Sequence, residues 1–400
     1  MENEPDFSVK SSYRWVMLSL IWLAYFAFGM IGSSIPPLVT PIANDLTLTY
    51  SQIGSILGAI LLVYIPLAIS VGLLIDRAGM RKSIVAAIAL VPLSAFLQSF
   101  ATNFETLFLS VCVFGIGGPF LSVSSPKIVA SWFSGKERGL ASGMYITGAF
   151  IGSSTALTIT NTIILPLVGT WRDVLRLYAL LGFLMAFIWL LFGREAPPTR
   201  TGRITTVPLR EAIKKLVREK YVWIVTIIAF SSAFFTGYGF TRWLPKLLEL
   251  KGMSLAEAGF FASVPGWSGL IGSIIIPALG KAGSRKPLVF VTLLIQGICI
   301  FATATVNGLP LIASLIFYGI SYGGMAPLLI VILMDMPQVG TKYTGVATGI
   351  LFSLGGLGGF TGPLMVGFLA ELTGSILPGM IALAALVEVM LGFTLLMKEK

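Results

Sequence analysis

The sequence predicts an all-α membrane protein with twelve transmembrane helices arranged in two pseudo-symmetric six-helix bundles. In the 400-residue chain 56% of residues are hydrophobic and only 11% are charged. Apolar stretches of about 20 residues, the length that crosses a bilayer core as a helix, recur along the whole chain. One long polar interruption divides these stretches into two sets. A single soluble core cannot bury so much apolar surface, so a multi-pass membrane protein is the class that fits.

Twelve apolar stretches are long enough to span a membrane. The first six lie at 15–36, 52–75, 83–100, 106–132, 140–165 and 174–192, and the second six lie at 221–243, 256–279, 288–306, 310–334, 345–369 and 376–397. The segment between the two sets is rich in Arg, Pro, Thr and Lys. We therefore predict an N-terminal six-helix bundle at 1–193, a cytoplasmic linker at 194–220 and a C-terminal six-helix bundle at 221–400.

The linker carries a helical pattern of its own. Leu209, Ile213, Leu216 and Val217 repeat at helical spacing, and basic residues occupy the other face. This pattern predicts an amphipathic helix lying on the inner leaflet of the membrane.

The two halves of the chain also resemble each other. Gly139 and Gly143, which open the fifth predicted span, recur as Gly345 and Gly349 at the opening of the eleventh, 206 positions later. Such a repeat predicts two related bundles around an axis along the membrane normal.

The charge distribution predicts the orientation in the membrane. The formal net charge is +10, and with both termini in the cytoplasm 21 of the 27 Lys and Arg residues fall on the cytoplasmic side and 5 on the outer side. This bias follows the positive-inside rule, so we predict a multi-pass protein of the plasma (inner) membrane with both termini cytoplasmic. The basic excess faces anionic lipid, and no nucleic-acid partner is expected.

Few residues of the chain are suited to metal or redox chemistry. It has no histidine, and its two cysteines, Cys112 and Cys299, fall within spans of different halves, where packing is the expected role. We therefore expect no cofactor and no metal. The expected partners are the lipid bilayer and a small-molecule substrate, and we expect a monomer.

Two loop motifs carry a family resemblance. Between the second and third spans, Gly72, Asp76, Arg77, Gly79, Arg81 and Lys82 resemble the short cytoplasmic loop of major facilitator superfamily transporters. The fourth span ends in Trp132-Phe133-Ser-Gly-Lys-Glu137-Arg138-Gly139, which is similar to members of the anion:cation symporter type. The resemblance implies the major facilitator fold, transport by alternating access, and a gating role for the loop residues together with Glu137 and Arg138.

The second half resembles a narrower branch. Thr241-Arg242-Trp243-Leu244-Pro245 at the end of the seventh span and Tyr322-Gly-Gly-Met-Ala-Pro327 in the tenth look like the cyanate and nitroimidazole transporters. The chain lacks the glycine-rich signatures and the arginine pair of nitrate transporters, which argues against nitrate as the substrate.

A charged side chain at the bilayer centre costs at least about 2.5 to 3.5 kcal/mol, so each one within a span needs a reason. Lys127 lies near the inner end of the fourth span and either reaches the interface or serves as an anion ligand on the cavity wall. Arg242 is expected near the outer surface, as an interfacial anchor or as an outer-gate residue that attracts anions. Glu388 is the one acid well inside a span, and we favour a structural role for it.

Aromatic side chains near the expected midplane form the second group of candidates. A tyrosine in a membrane core needs a partner for its hydroxyl group, and a polar cavity supplies one. The candidate substrate-binding residues are therefore Lys127 and Arg242 together with Tyr25, Tyr64, Tyr145, Tyr238, Trp267 and Tyr322.

These observations predict a transporter of a small solute, more specifically a small organic or inorganic anion. No Asp, Glu and His relay for protons is visible in the spans, so uniport, exchange and substrate-coupled proton transport all stay open. One alternative is an exporter of hydrophobic or neutral compounds, which an aromatic cavity suits. A transport-fold sensor is an alternative of a different class. An intramembrane enzyme is not expected, because the spans hold no catalytic dyad and no ligand cluster.

Overall fold

The computed structural model describes residues 12–78, 80–194, 209–280 and 285–397, and nearly all of these residues are helical. The first six membrane helices are α1 (Tyr13–Gly32), α2 (Tyr50–Ala78), α3 (Met80–Gln98), α4 (Phe104–Trp132), α5 and α6 (Trp171–Phe192). Helix α5 runs from Gly135–Ile159 through a π-helical turn at Thr160–Ile164 to Leu165–Val168. After α1 come a 3₁₀ turn (Pro36–Leu38) and a short helix (Val39–Leu46).

The second six helices follow the same order. Helix α7 consists of Lys220–Ala229, a π-helical stretch at Phe230–Thr236 and Gly237–Leu250. The others are α8 (Leu255–Leu279), α9 (Lys286–Thr305), α10 (Leu309–Asp335), α11 (Gly340–Thr373) and α12 (Leu377–Leu395). Ten of the described helical segments are long and apolar enough to cross a membrane, and α2 and α3 contribute the apolar stretches Tyr50–Tyr64 and Lys82–Gln98. The predicted all-α membrane fold with twelve helices is confirmed.

The linker helix spans Leu209–Leu216. Ala212 and Leu216 are buried against the second set of six helices, and the ammonium group of Lys215 lies 4.4 Å from the ring centroid of Tyr343 on α11. The predicted apolar stripe is therefore divided, because Leu216 packs inward while Ile213 and Val217 are exposed. The bundle boundaries at 193 and 220 stay a prediction. We call the side of the bundle with the linker helix the linker side, and the opposite side the far side.

Glycines allow several helix pairs to pack backbone against backbone. A methyl group at Gly272 of α8 would overlap the carbonyl oxygen of Ile320 on α10, and one at Gly152 of α5 would overlap that of Phe26 on α1. Small residues give membrane helices this close approach. The two sets of six meet along α2 with α11 and along α5 with α8. At the first of these contacts, a methyl group at Gly54 would lie 2.6 Å from the Pro363 carbonyl oxygen.

Glu388 lies between α9 and α12. Its carboxyl group covers Gly297 of α9, where an added methyl group would overlap the carboxylate. The carboxyl oxygen Oε1 is buried and has no hydrogen-bond partner within the described ranges. Because Glu388 is not among the residues that line the central cavity, its position fits the structural role favoured from the sequence.

Candidate substrate cavity

A central cavity of about 400 Å³ lies between the two sets of six helices. Helices α1, α2, α4 and α5 line it from one side and α7, α8, α10 and α11 from the other. The wall is mostly aromatic and apolar with a few polar groups, which is typical of small-molecule sites. Its lining includes Phe28, Gly32, Ser33, Tyr64, Phe114, Phe150, Ser153, Ser154, Phe234, Tyr238, Thr241, Arg242, Tyr322 and Phe352.

Arg242 is the one charged residue in the described wall of this cavity. Its guanidinium group donates a hydrogen bond to the backbone carbonyl of Gly32 at the end of α1. It also lies over the ring of Tyr238, 5.4 Å from the centroid. Within the ranges that the structure describes, no carboxylate forms an ion pair with it. A cation that is removed from water without a counter-charge raises the free energy of the protein. An anion in the cavity would supply that counter-charge, so the cavity favours an anionic solute.

Arg242 lies farther from the end of its helix than the hydropathy pattern predicts. The hydropathy pattern places the end of the seventh span at Trp243, but α7 continues through Pro245, Lys246 and Glu249 to Leu250. At 1.5 Å per residue, Arg242 is therefore about 12 Å from the far-side end of its helix. The guanidinium group lines the cavity, and the choice between an interfacial anchor and an outer-gate residue stays a prediction.

Hydroxyl groups supply the other polar atoms of the wall. The Tyr64 hydroxyl donates to Ser122 Oγ at 2.6 Å, and the hydroxyl oxygens of Ser33 and Ser153 are 2.6 Å apart. Ser154 is fully buried, and its Oγ has no hydrogen-bond partner among the described residues. One hydroxyl of the Ser33 and Ser153 pair keeps a free proton, so it can donate a hydrogen bond to a solute without adding charge.

The structure brings four of the eight candidate binding residues into the cavity wall: Tyr64, Tyr238, Arg242 and Tyr322. The other four lie outside this lining. Tyr25 and Tyr145 pack edge to face between α1 and α5 with ring centroids 4.8 Å apart. Trp267 is 41% exposed. Lys127 is half-buried near the linker-side end of α4.

The loop motif is described only in part. Gly79 and the side chains of Asp76, Arg77 and Arg81 lie outside the described residues, and α2 includes the backbone of Gly72. Lys82 and Arg138 are exposed. The carboxylate of Glu137 accepts a hydrogen bond of 2.7 Å from Arg14, which joins the beginnings of α5 and α1 on the linker side. The gating role of these residues stays a prediction.

Contacts across the two sets of six helices close the far side. Asn161 in the π-helical turn of α5 donates hydrogen bonds to the carbonyls of Pro37 at 2.8 Å and of Leu255, at the start of α8, at 3.0 Å. The Ser51 backbone N–H donates to Glu371 at 3.0 Å. Sequence reasoning missed these residues, although Asn161 is a polar residue inside a predicted span and such residues are often functional.

A second far-side cluster joins α7 to the short helix that follows α1. The Lys246 ammonium group donates to Thr40 Oγ1 at 2.6 Å and lies 3.3 Å from Glu249, and Thr40 in turn donates to Glu249. The cluster borders a separate cleft of about 550 Å³. The described lining of that cleft holds one cation, Lys246, and one carboxylate, Glu371, so its charges are balanced, unlike those of the central cavity.

The linker side is open between the two sets. A methyl group at Gly139 or Gly143 of α5, or at Gly349 of α11, would have no described heavy atom within 4 Å. The cross-set hydrogen bonds that the structure describes lie on the far side, except for a long one of 3.5 Å from the Trp267 indole N–H, at the middle of α8, to Thr158 Oγ1. The conformation is therefore closed on the far side and open on the linker side, with the cavity between.

Comparison with known proteins agrees with this architecture. The chain is similar to the nitrite extrusion protein of Bacillus subtilis, with 27% identity over 92% of this chain and 91% of that protein. It is also similar to a probable sulfoacetate transporter of Cupriavidus necator, with 24% identity over 93% and 91%. A crystal structure of a bacterial homologue of the human lysosomal transporter Spinster, inward-facing and unoccupied, matches with a TM-score of 0.82 at 18% identity, over 96% of this chain and 97% of that one. That likeness supports the fold alone.

The Major Facilitator Superfamily model matches residues 21–363, which include the cavity-lining positions of both sets of helices. The match covers well over half of the chain and agrees with the resemblance of its loop motifs. The chain belongs to the Major Facilitator Superfamily and is a multi-pass membrane transporter.

Proposed function

We propose that the protein carries small monovalent anions across the plasma (inner) membrane by alternating access, with the linker side in the cytoplasm. The observation that supports this substrate class is the guanidinium group of Arg242 in the cavity wall, which has no carboxylate partner among the described residues. Guanidinium groups bind carboxylates and similar planar anions with two parallel hydrogen bonds. The names of two relatives, for nitrite and for sulfoacetate, add support for an anion. On this proposal the protein is a monomeric transporter without catalytic activity and without a nucleic-acid partner.

The preference for one negative charge rests on the cavity itself, since the relatives are named for both a singly and a doubly charged anion. In the described wall one cation faces the solute, and the remaining polar groups are uncharged hydroxyls. A dianion would keep one charge without a partner in a low-dielectric site, which is costly. We therefore expect monovalent anions to bind at least about tenfold more tightly than divalent anions of similar size.

The exporter of hydrophobic or neutral compounds is not favoured. A neutral solute would leave the guanidinium group of Arg242 without a counter-charge. Its binding would also displace water from that group, which is unfavourable. Both relatives described above are named for anions.

The test compares matched solutes on the purified protein and in proteoliposomes. Acetate is compared with acetamide, its uncharged counterpart, and with malonate. Nitrate, which the sequence argues against as the natural substrate, is compared with sulfate as a small planar probe of the preference for one negative charge. A ligand at 100 times its dissociation constant stabilises the folded protein by about 2.7 kcal/mol. We expect acetate or nitrate to raise the unfolding temperature and labelled acetate or nitrate to enter the vesicles, with weaker effects of malonate and sulfate. Equal stabilisation by acetamide, or by hydrophobic amines alone, would contradict an anion carrier.

A further inference from the structure

The hydrogen bond between Arg242 and Gly32 connects the cavity to the closure of the far side. Gly32 ends α1 in the first set of helices, and Arg242 belongs to α7 in the second set. Both residues line the central cavity. The bond is therefore a contact between the two sets of helices that a bound solute reaches directly.

The sequence explains why Gly32 needs this donor. A helical carbonyl normally accepts a hydrogen bond from the N–H four residues later. Four residues after Gly32 stands Pro36, which has no N–H. The carbonyl also lies at the negative end of the α1 dipole. A cation from the opposite set of helices therefore satisfies an acceptor that α1 cannot satisfy itself.

We propose that Arg242 is a latch that a substrate anion releases. This inference rests on the proposed function. The bond from Arg242 to the Gly32 carbonyl has one charged partner, whereas a bond to an anion has two and can use two parallel N–H groups of the guanidinium, so an anion competes well with the carbonyl. When the anion takes over these donors, the tie between α1 and α7 is lost and the far side opens more easily.

The other far-side contacts cannot respond in this way. Asn161, Lys246 and Glu371 are not among the residues that line the central cavity. They stabilise the closed far side whether or not the cavity is occupied. Among the described cross-set hydrogen bonds, only that of Arg242 to Gly32 joins two residues of the cavity lining. A latch of this kind couples opening to the substrate without a carboxylate relay.

The experiment measures the opening of the far side directly. Spin labels are placed at Leu167 on α5 and Leu309 on α10, which are 79% and 78% exposed and lie at far-side ends of the two sets. The background replaces Cys112 and Cys299 by alanine. Distances between the labels are measured by pulsed electron paramagnetic resonance in sulfate buffer, with acetate, nitrate or acetamide added. We expect acetate or nitrate, and not acetamide, to shift the distribution to longer distances.

Two variants separate the latch from a general weakening of closure. Arg242→Ala is expected to give longer distances in sulfate buffer alone and to lose the response to added acetate and nitrate. Lys246→Ala removes a far-side contact outside the cavity, so it is expected to lengthen the distances while keeping the response. Arg242→Lys, which keeps the charge, provides a second test if the alanine variant does not fold.

The outcomes distinguish the latch from the transport proposal. If acetate or nitrate stabilises the protein but leaves the label distances unchanged, the latch is wrong and the anion site stands. An unchanged, closed distribution in Arg242→Ala also overturns the latch. If neither anion stabilises the wild-type protein, the proposed function fails and the latch fails with it.

Discussion

Arg242→Ala is expected to weaken anion binding by about 10- to 100-fold and to reduce uptake at low substrate concentration accordingly. Hydrogen bonds to charged groups contribute about 1.5 to 3 kcal/mol, and each 1.4 kcal/mol is a factor of ten in affinity. The loss is expected to be large because the described cavity wall offers no second cation to replace it. Arg242→Lys keeps the charge but loses the planar pair of donors, so an intermediate loss is expected. Binding is measured by thermal stabilisation and by uptake of labelled acetate.

Arg172→Ala is the matched control for this experiment. Arg172 is an arginine at the far-side end of α6 that forms an ion pair with Asp45 outside the cavity. Its loss removes the same charge from the protein without touching the cavity, so affinity is expected to stay within about twofold. Equal binding by wild-type protein and Arg242→Ala would show that the anion site lies elsewhere.

Gly272→Ala is expected to destabilise the folded protein by about 1 to 3 kcal/mol, the usual range for overpacking. The added methyl group would overlap the Ile320 carbonyl oxygen, and backbone on both sides leaves little room for adjustment. Helices α8 and α10 would have to move apart. The measurement is the unfolding temperature of the purified protein in detergent, together with the yield of folded monomer.

Gly143→Ala provides the contrast within the same protein. Gly143 is also a helical glycine, but an added methyl group there meets no described heavy atom within 4 Å. Alanine is the better helix former by about 1 kcal/mol, so this variant is expected to be as stable as the wild type or slightly more stable. The same unfolding temperature for both variants would show that α8 and α10 are not in backbone contact.

The sequence predicted the class of the fold and the positions of all twelve helices, because apolar stretches of membrane-spanning length are a strong signal. Hydropathy ends the seventh span at 243, whereas helix α7 continues through Lys246 and Glu249 to Leu250. In the structure Lys246 and Glu249 form an ion pair with each other and the helix continues, and the uncharged hydroxyl group of Thr40 is hydrogen-bonded to both. That contact comes from a distant part of the chain, so no local pattern contains it.

The cavity was predictable only in part for the same reason. A tyrosine in a span needs a polar partner, but the sequence does not say whether that partner is a cavity or a neighbouring helix. Tyr64 and Tyr238 line the cavity, whereas the rings of Tyr25 and Tyr145 pack against each other between α1 and α5. The hydrogen bond between Arg242 and Gly32 could not be predicted from the sequence either. Its acceptor is a backbone carbonyl, and the one sequence feature related to it is Pro36.

The glycines of α5 and α11 lead to one more consequence. Gly152 is explained by the conformation described here, because α1 presses against it. An added methyl group at Gly139, Gly143 or Gly349 would meet no described heavy atom within 4 Å in this conformation, yet Gly143 and Gly349 occupy matching places in the two repeats. A chain that alternates between two shapes has to encode the contacts of both. We expect these three glycines to make helix contacts in the other conformation, in which the linker side closes. A bulky residue there would leave the stability of the present conformation unchanged but would hinder the transport cycle.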